Sequence, residues 1–218
     1  MSASSALRLR DHAYSNFTEK LLARDIRPGQ IVSQRELVEL TGMPLGAIRE
    51  MIPRLEADGL IKTVPKRGLQ VLSIDIDLVR NAFQLRSIIE GEAISAFCKT
   101  ATKAEIERLA KQHRDIQEEA IAAVTPELLR RAQQMDWDFH DLIVDAMGNP
   151  IISDIHRVNA IKIRLIRNNQ TRMLPELVVS VVDEHLAIFD ALENSDSEGA
   201  VQAIHSHINS AKKRALGM

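Results

Sequence analysis

The chain has 218 residues, of which 45% are hydrophobic and 27% are charged, a composition that excludes disordered and fibrous proteins. Aromatic residues make up only 3%, with 7 prolines and 9 glycines, so a many-stranded β-sandwich is disfavoured and a mainly α-helical fold is predicted. The single cysteine, Cys98, excludes an internal disulfide, and the absence of a signal core or long apolar span indicates a cytoplasmic protein with no membrane segment.

The charges are unevenly distributed along the chain. The whole chain carries 28 basic and 30 acidic residues, a net charge of -2. Residues 1–74 carry 11 basic and 8 acidic side chains, which leaves 17 and 22 for residues 75–218. A basic amino-terminal part joined to an acidic carboxy-terminal part indicates that only the first part meets a polyanion.

The amino-terminal part predicts a helix followed by a helix-turn-helix. Ser33 and Glu36 form a capping-box pattern at the start of the second helix, and Thr41-Gly42 ends it. Pro44 suits the first turn of the third helix, which Asp58-Gly59 ends. Two short helices across a tight turn that contains glycine are typical of a helix-turn-helix. The predicted helices cover residues 7–24, 33–40 and 44–57.

Two short strands around a basic turn follow the third helix. Leu60–Val64 and Leu69–Leu72 flank Pro65-Lys66-Arg67-Gly68, a pattern that predicts a wing. With this wing the segment resembles a winged helix-turn-helix, which binds double-stranded DNA. Arg35 and Arg49 on the two helices, with Lys66 and Arg67 at the wing tip, are candidates for contacts to phosphates or bases. The alternative is an ordinary solvated surface.

Residues 75–218 predict six helices joined by short connections, which is typical of an antiparallel helical bundle. We therefore expect two domains, a winged helix-turn-helix over residues 1–74 and an all-helical domain over residues 75–218. The predicted helices cover residues 75–100, 102–123, 125–147, 150–169, 175–194 and 196–216.

Two polar residues interrupt the apolar face of the helix at 125–147. Asp136 and His140 lie one turn apart in a row with Phe139 and Ile143. An ionised carboxylate in a core costs several kcal/mol, on the order of magnitude, unless it is paired or bound to a metal. The pair is therefore either a buried ion pair or two metal ligands at positions i and i+4.

Further imidazoles lie on two later helices. His185 lies at the centre of the apolar face of residues 175–194. His205 and His207 both lie beside the stripe of the last helix but point to opposite sides, so at most one reaches a given site. Three imidazoles and a carboxylate suit Zn²⁺, Ni²⁺ or Mn²⁺ better than Ca²⁺. Periodicity does not choose between His205 and His207.

Two more polar side chains interrupt apolar rows of the predicted bundle. Arg86 lies among apolar residues of the helix at 75–100, where it either pairs with Glu90 at i+4 or binds the carboxylate of a ligand that enters the bundle. Asn159 interrupts the row of Ile155 and Ile163. A hydrogen bond to a neighbouring helix is favoured for Asn159 over contact with a ligand.

With these features the chain resembles a GntR-type transcription regulator of the FadR branch, in which a winged helix-turn-helix precedes an all-helical ligand-binding FCD domain. The six helices resemble the shorter subgroup of that domain. The segments that carry the resemblance are Pro28-Gly29-Gln30, Ser33-Gln34-Arg35-Glu36-Leu37, the stretch from Gly42 to Arg49-Glu50, Arg54-Leu55-Glu56-Ala57-Asp58-Gly59-Leu60, Gly68 in the wing, Arg86-Ser87-Ile88-Ile89-Glu90, Asp136-Trp137-Asp138-Phe139-His140, Gly148-Asn149-Pro150, Glu184-His185 and His207-Ile208.

The resemblance implies roles for individual residues. It implies a metal site, with zinc as the first candidate, and it selects His207 over His205. It also makes Arg86 the candidate binding residue for a small carboxylate effector; Asn159, which interrupts its own apolar row, is the second candidate for contact with that effector. The implied metal ligands are Asp136, His140, His185 and His207, and the implied DNA-contacting positions are Arg35, Leu45, Gly46, Arg49, Lys66, Arg67 and Gly68.

Two departures from the family pattern concern the recognition helix. Pro44-Leu45-Gly46 stands where many relatives have Ser-Arg-Thr, so the usual base-reading arginine is absent. Pro53 removes an amide donor and crowds the carbonyl of Arg49, which predicts a kink or an end of the helix there.

The favoured function is a transcription regulator that binds an operator as a homodimer and responds to a metabolite. A metal-dependent hydrolase is the first alternative, but Asp138 and Glu184 are poor general bases because their neighbours Trp137 and His185 face the other way. A structural interaction protein with plain core histidines is the second alternative.

Overall fold

A computed structural model describes residues 3–170 and 174–218 of the chain. Contacts between Cα atoms divide the chain into two compact units, Met1–Ile76 and Asp77–Met218. The observed division lies two residues beyond the boundary expected between residues 74 and 75.

The first unit contains the predicted helix-turn-helix. Ser33 accepts a hydrogen bond from the amide of Glu36, and the Glu36 carboxylate accepts one from the amide of Ser33, so the predicted capping box is present at the start of α2. Gly42 ends α2 with a φ of 68°, a conformation that residues with a Cβ adopt at a cost. The helices of this unit are α1 (Ala3–Leu22), α2 (Gln34–Thr41) and α3 (Leu45–Ala57).

The two prolines of the recognition helix behave differently from the expectation. Pro44 occupies the N-cap position, directly before the first residue of α3, instead of lying in the first turn. Pro53 does not end α3, which continues to Ala57. Pro53 has no amide hydrogen to donate to the carbonyl of Arg49. Because Arg49 and Pro53 are both exposed, that carbonyl lies on the solvent side of the helix. Burial of Leu55 beyond the proline holds the last turn in place.

A small antiparallel sheet forms the wing, with its strands in the order β1-β3-β2. The sequence predicted β2 and β3 but missed β1, because a strand of two residues is too short to show an alternating pattern of apolar and polar side chains. At the turn between β2 and β3, Gly68 has a φ of 117°, and a Cβ there would lie 2.7 Å from the carbonyl oxygen of Val32. Glycine is therefore required for the wing to close on β1. The strands are β1 (Ile31–Val32), β2 (Ile61–Val64) and β3 (Gly68–Val71).

The second unit is the predicted helical bundle. The predicted helix at 175–194 begins differently, because Pro175–Leu177 forms a 3₁₀ turn before the α-helix starts. The helix α8 packs against α5 on one side and α9 on the other, and α6 packs against α5 and α7. None of the described helices has the length and apolar character needed to cross a membrane. The helices are α4 (Ile76–Thr100), α5 (Lys103–Ala122), α6 (Pro126–Asp145), α7 (Pro150–Gln170), α8 (Val178–Glu193) and α9 (Ser197–Ala215).

Candidate metal centre

Four side chains from three helices meet in the interior of the second unit. Asp136 and His140 lie on α6, His185 lies on α8 and His207 lies on α9. Each is at most 3% exposed, and one ligand atom from each lies within 4.8 Å of the others. The structure thus brings together the four residues that the sequence assigned to a metal.

Two of the imidazoles are oriented by carboxylates behind them. His140 Nδ1 lies 2.7 Å from Oε2 of Glu90, and His207 Nδ1 lies 2.8 Å from Oε2 of Glu184. A carboxylate only accepts hydrogen bonds, so each ring carries its proton on Nδ1. Both Nε2 atoms therefore direct a lone pair toward the centre, as in the carboxylate–histidine–metal arrangement of metal sites.

The third imidazole is oriented by another histidine. His113 Nδ1 lies 2.8 Å from the carbonyl oxygen of Leu109 and donates its proton there. Its Nε2 then accepts from His185 Nδ1 at 3.0 Å. The Nε2 of His185 is consequently left without a proton, and it too directs a lone pair inward.

The facing atoms have the spacing that one bound cation would produce. His207 Nε2 lies 3.2 Å from His140 Nε2 and 3.3 Å from His185 Nε2. Two nitrogens bound to one zinc ion at about 2.0–2.1 Å lie about 2.8–3.4 Å apart for angles between 90° and tetrahedral. Three lone pairs that face one another repel, so the arrangement needs a positive charge at its centre. The donor set therefore fits a divalent metal.

The carboxylate of Asp136 has one occupied oxygen and one free oxygen. Arg167 donates to Oδ2, whereas the buried Oδ1 has no hydrogen-bond partner among the described residues. Oδ1 lies 3.6 Å from His185 Nε2, too far for a hydrogen bond. The alternative ion pair between Asp136 and His140 is not formed, because Arg167 pairs with the first and Glu90 with the second. An unpartnered buried carboxylate oxygen is the second feature that fits a metal.

His205 lies outside this group. Its Nε2 lies 3.1 Å from the carbonyl oxygen of Ser87 on α4, to which it donates. A Cβ on Gly91 would lie 2.5 Å from the same nitrogen, so the ring crosses α4 where there is no side chain.

Arg86 forms the ion pair that was one of its two predicted roles. Its Nε donates to Glu90 Oε1 at 2.8 Å, and both side chains are at most 5% exposed. The Nη1 of Arg86 is buried and has no hydrogen-bond partner among the described residues. The ion pair therefore leaves one donor of the guanidinium available.

Asn159 also forms the contact favoured for it, since Nδ2 donates to the carbonyl oxygen of Ala82 on α4 at 3.0 Å. With Arg86 it lines a cavity of about 20 Å³ between α4, α6 and α7. The two residues assigned to the effector thus border one space, on the Nδ1 side of His140.

The residues assigned to DNA lie on the surface of the first unit. Arg35 pairs with Glu39 and Arg49 donates to Gln34 Oε1 at 3.2 Å, while Lys66 and Arg67 have no side-chain partner among the described residues. Leu45 is 41% exposed, and a Cβ on Gly46 would meet nothing within 4 Å, so the start of α3 is an open surface.

Two family models match the chain. The model described as bacterial regulatory proteins, gntR family, matches residues 9–71, and the FCD domain model matches residues 81–210. The chain is a GntR-family regulator with an FCD domain. It is a transcription regulator, as predicted, and the families and relatives that it matches are regulators and not enzymes.

The GntR-family chain has relatives over most of its length. The transcriptional regulator YdhC of Bacillus subtilis strain 168 is 26% identical over 90% of this chain and 86% of its own. A GntR regulator from Rhodococcus sp. RHA1 has a TM-score of 0.71 and 19% identity, and 99% of each chain is covered. The metal-free FCD domain of the regulator TM0439 has a TM-score of 0.55 and 17% identity over 66% of this chain and 96% of its own. These two structures support the fold.

Three buried imidazoles of the FCD domain, His113, His140 and His185, are neutral at physiological pH. Burial, reinforced by Arg86, lowers the pKa of His140 to about 4, and burial lowers the pKa of His113 to about 4. The pKa of His185 is also well below its usual value, through burial and His207. Burial would raise the pKa of Asp136, but Arg167 and then the imidazoles hold it below its usual range. Asp136, His140 and His185 are thus in the protonation states that metal binding requires.

We expect the metal-free regulator to lose stability as the pH falls from 6.5 toward 4. His113 and His140 titrate near 4 when folded and near 6.5 when unfolded, so the unfolded state binds more protons in this window. Each pKa unit is worth about 1.4 kcal/mol, so the effect is a few kcal/mol. Urea titrations of EDTA-treated protein between pH 7 and pH 4.5 measure it. A free energy of unfolding that stays constant over this range contradicts the prediction.

Sequence reasoning missed the side chains behind the site. Glu184 was expected to face away from it, but the carboxylate reaches back to His207 and also binds Arg214, at 2.9 Å from its Nη1. His113 and Arg167 were not singled out, although each interrupts an apolar helical row in the same way as Asp136. A polar residue within an apolar row was therefore the sequence signal that could have identified both side chains.

Proposed function

We propose that this regulator binds one divalent metal at Asp136, His140, His185 and His207, and that a small carboxylate bound beside it changes the affinity for operator DNA. Zinc is the first candidate and nickel and manganese are the alternatives, because imidazole and carboxylate ligands suit all three. The protein acts in the cytoplasm, as a homodimer on two half-sites.

One observation supports the metal above the others. Three imidazole Nε2 atoms without protons and one carboxylate oxygen without a donor face a common centre. In a site without a cation, at least one of these rings would turn its N–H inward to relieve the repulsion. Glu90, Glu184 and His113 hold all three rings in the opposite orientation. A metal bound at this centre would supply the positive charge that the facing donor atoms require.

The effector role of Arg86 and Asn159 is supported by the cavity that both border. Arg86 keeps a free Nη1 there, and a guanidinium is well suited to bind a carboxylate. Asn159 uses its amide nitrogen on Ala82, so its amide oxygen is the group it presents to other donors.

The homodimer is supported by apolar side chains that the second unit leaves exposed on two adjacent helices. On α4, Leu85 is 36% and Ile88 64% exposed, and on α7, Ile151 is 71% and Ile155 47% exposed. The residues of each pair lie three or four positions apart, so each pair shares a helical face. Apolar surface that recurs at this spacing is typical of a face covered by a partner.

The DNA contacts are proposed for the exposed end of α3, for α2 and for the wing. Arg49 lies on the recognition helix, and Leu45 and Gly46 open that helix without a basic side chain. Lys66 and Arg67 lie at the wing tip, next to Gly68. Arg35 is 90% exposed at the start of α2. Basic side chains at these three places bind phosphates, which position the protein on the duplex.

Lys66→Ala or Arg67→Ala is expected to reduce the salt dependence of DNA binding. Each lost phosphate contact lowers the slope of log K against log salt by about 0.9, and the affinity for all sequences falls similarly. Arg49→Ala is expected to weaken binding more, because α3 also sets the register on the duplex. Titrations of DNA from the region flanking the coding sequence, at several salt concentrations, measure the slope.

Footprinting on the same DNA tests the proposal as a whole. The metal-loaded protein is expected to protect two half-sites about 34 Å apart, one helical turn, and a carboxylate effector is expected to alter this protection.

Lys20→Ala is the matched control for the salt-dependence measurement, because Lys20 is a basic residue of the same unit that pairs with Asp25 and lies outside the proposed contacts. An unchanged slope in both wing variants contradicts the wing assignment.

A further inference from the structure

The cavity beside Arg86 is bordered by three side chains whose buried hydrogen-bond donors have no partner. These donors are Nη1 of Arg86, Nε1 of Trp137 and Nε of Arg164. Only four buried side-chain polar atoms of the described residues lack a partner, and the fourth is the Asp136 oxygen of the metal centre. All the unpartnered donors therefore border one space.

Each of the three donors belongs to a side chain that its surroundings hold in place. Arg86 is fixed by Glu90 through Nε. Arg164 is fixed by Asp141, since its Nη2 lies 2.7 Å from Oδ2. The Arg164 guanidinium also lies 4.8 Å from the centre of the Trp137 ring, so the two side chains hold each other by a cation–π contact. These donors cannot turn to other partners without breaking an existing contact.

The chemistry of the donors selects the ligand. Three buried N–H groups without acceptors cost free energy, and two of them are cationic, so the favoured ligand is an acceptor with negative charge. A single water accepts only two hydrogen bonds, whereas a carboxylate has about four acceptor positions. A space of about 20 Å³ admits one small group, which favours the planar head of a carboxylate over a larger tetrahedral oxyanion.

We propose that Trp137 and Arg164 are ligand-binding residues that hold, together with Arg86, the carboxylate of the effector in this cavity. This inference rests on the effector role proposed for Arg86, and it adds two residues that determine specificity. The carboxylate lies on the Nδ1 side of His140, opposite to the metal. There it shares Arg86 with Glu90, which occupies Nε and leaves Nη1 free, and Glu90 is also the group that orients His140. Ligand binding is thereby linked to the metal ligand through one carboxylate.

Trp137 is the only tryptophan of the chain, so its fluorescence reports on this cavity. Zinc-loaded full-length protein is titrated with sodium acetate, with the uncharged acetamide of similar shape and with sodium sulfate, while sodium chloride keeps the ionic strength constant. Acetate is expected to change the fluorescence saturably, and acetamide is expected to leave it unchanged. An equal response to acetamide, a tighter response to sulfate or no response to acetate overturns the proposal.

Two variants test the new residues directly. Trp137→Phe removes the N–H and keeps a ring, and Arg164→Met removes the charge. Each is expected to weaken acetate binding about tenfold, the effect of one lost hydrogen bond to a charged group, as measured by the NMR linewidth of the acetate methyl. Arg157→Met is the matched control for Arg164→Met, because Arg157 is an exposed arginine that also lies on α7 and pairs with Asp154. Wild-type acetate affinity in both test variants overturns the assignment.

Metal content and operator binding of the same samples separate this inference from the proposed function. If carboxylates still alter DNA binding while Trp137→Phe and Arg164→Met bind acetate as the wild type does, the regulator binds its effector elsewhere and only this cavity is excluded. If the metal is absent or DNA is not bound, the proposed function fails whatever the acetate titration shows.

Discussion

His207→Ala is expected to abolish stoichiometric zinc binding, whereas His205→Ala is expected to retain it. The His207 Nε2 lies within 3.3 Å of the Nε2 atoms of both other imidazoles, so its loss opens one side of the centre. Because loss of an outer partner already weakens metal sites about 10–100-fold, we expect loss of a ligand to exceed about a hundredfold. Metal analysis after dialysis against a weak chelator measures both variants.

His205→Ala is a sharp control because it removes an imidazole from the same helix, two positions away. Its ring donates to the Ser87 carbonyl and does not reach the centre. Glu184→Gln gives an intermediate case, since the neutral amide is a weaker acceptor for His207 Nδ1–H, and about 10–100-fold weaker binding is expected. The reverse order, with His205→Ala losing zinc and His207→Ala retaining it, would overturn the ligand assignment.

Arg86→Met is expected to lower both the stability of the second unit and its affinity for carboxylates. Glu90 is fully buried, and without Arg86 its partners among the described residues are the imidazoles of His140 and His156. Breaking a buried ion pair costs about 3–5 kcal/mol, and the two remaining imidazoles place the expected loss at the lower end. Arg86→Lys keeps the charge but lacks the planar fork, so it is expected to weaken carboxylate binding while metal content stays nearly unchanged.

The two predicted roles of Arg86 separate in these measurements. Calorimetric titration with acetate measures ligand affinity, and thermal melts of the same samples measure stability. Arg80→Met is the matched control, since Arg80 is an exposed arginine of the same helix that pairs with Asp77. If Arg86→Met loses stability but binds acetate as the wild type does, the residue serves only as the partner of Glu90.

Local patterns predicted much of this fold. The capping box at Ser33 and Glu36, the wing turn at Gly68 and the helices of the bundle follow from short-range rules that act within one or two helical turns. The same rules failed where tertiary packing prevails. Pro53 did not end α3, because residues beyond it remain buried, and β1 exists only because β3 pairs with it.

The candidate metal centre likewise has features that local patterns predict and features that depend on tertiary packing. The positions of Asp136, His140 and His185 within apolar helix faces follow from the sequence alone, because a buried polar side chain is visible as a break in a periodic row. The packing of the helices was needed to show that Glu90, Glu184 and His113 orient the three imidazoles, and that His205 binds to α4 instead. It alone placed Trp137 and Arg164 beside Arg86. A hydrogen bond between helices depends on how the helices pack, and these partners lie 23, 50 and 72 positions apart, so no helical period in the sequence reports the contact.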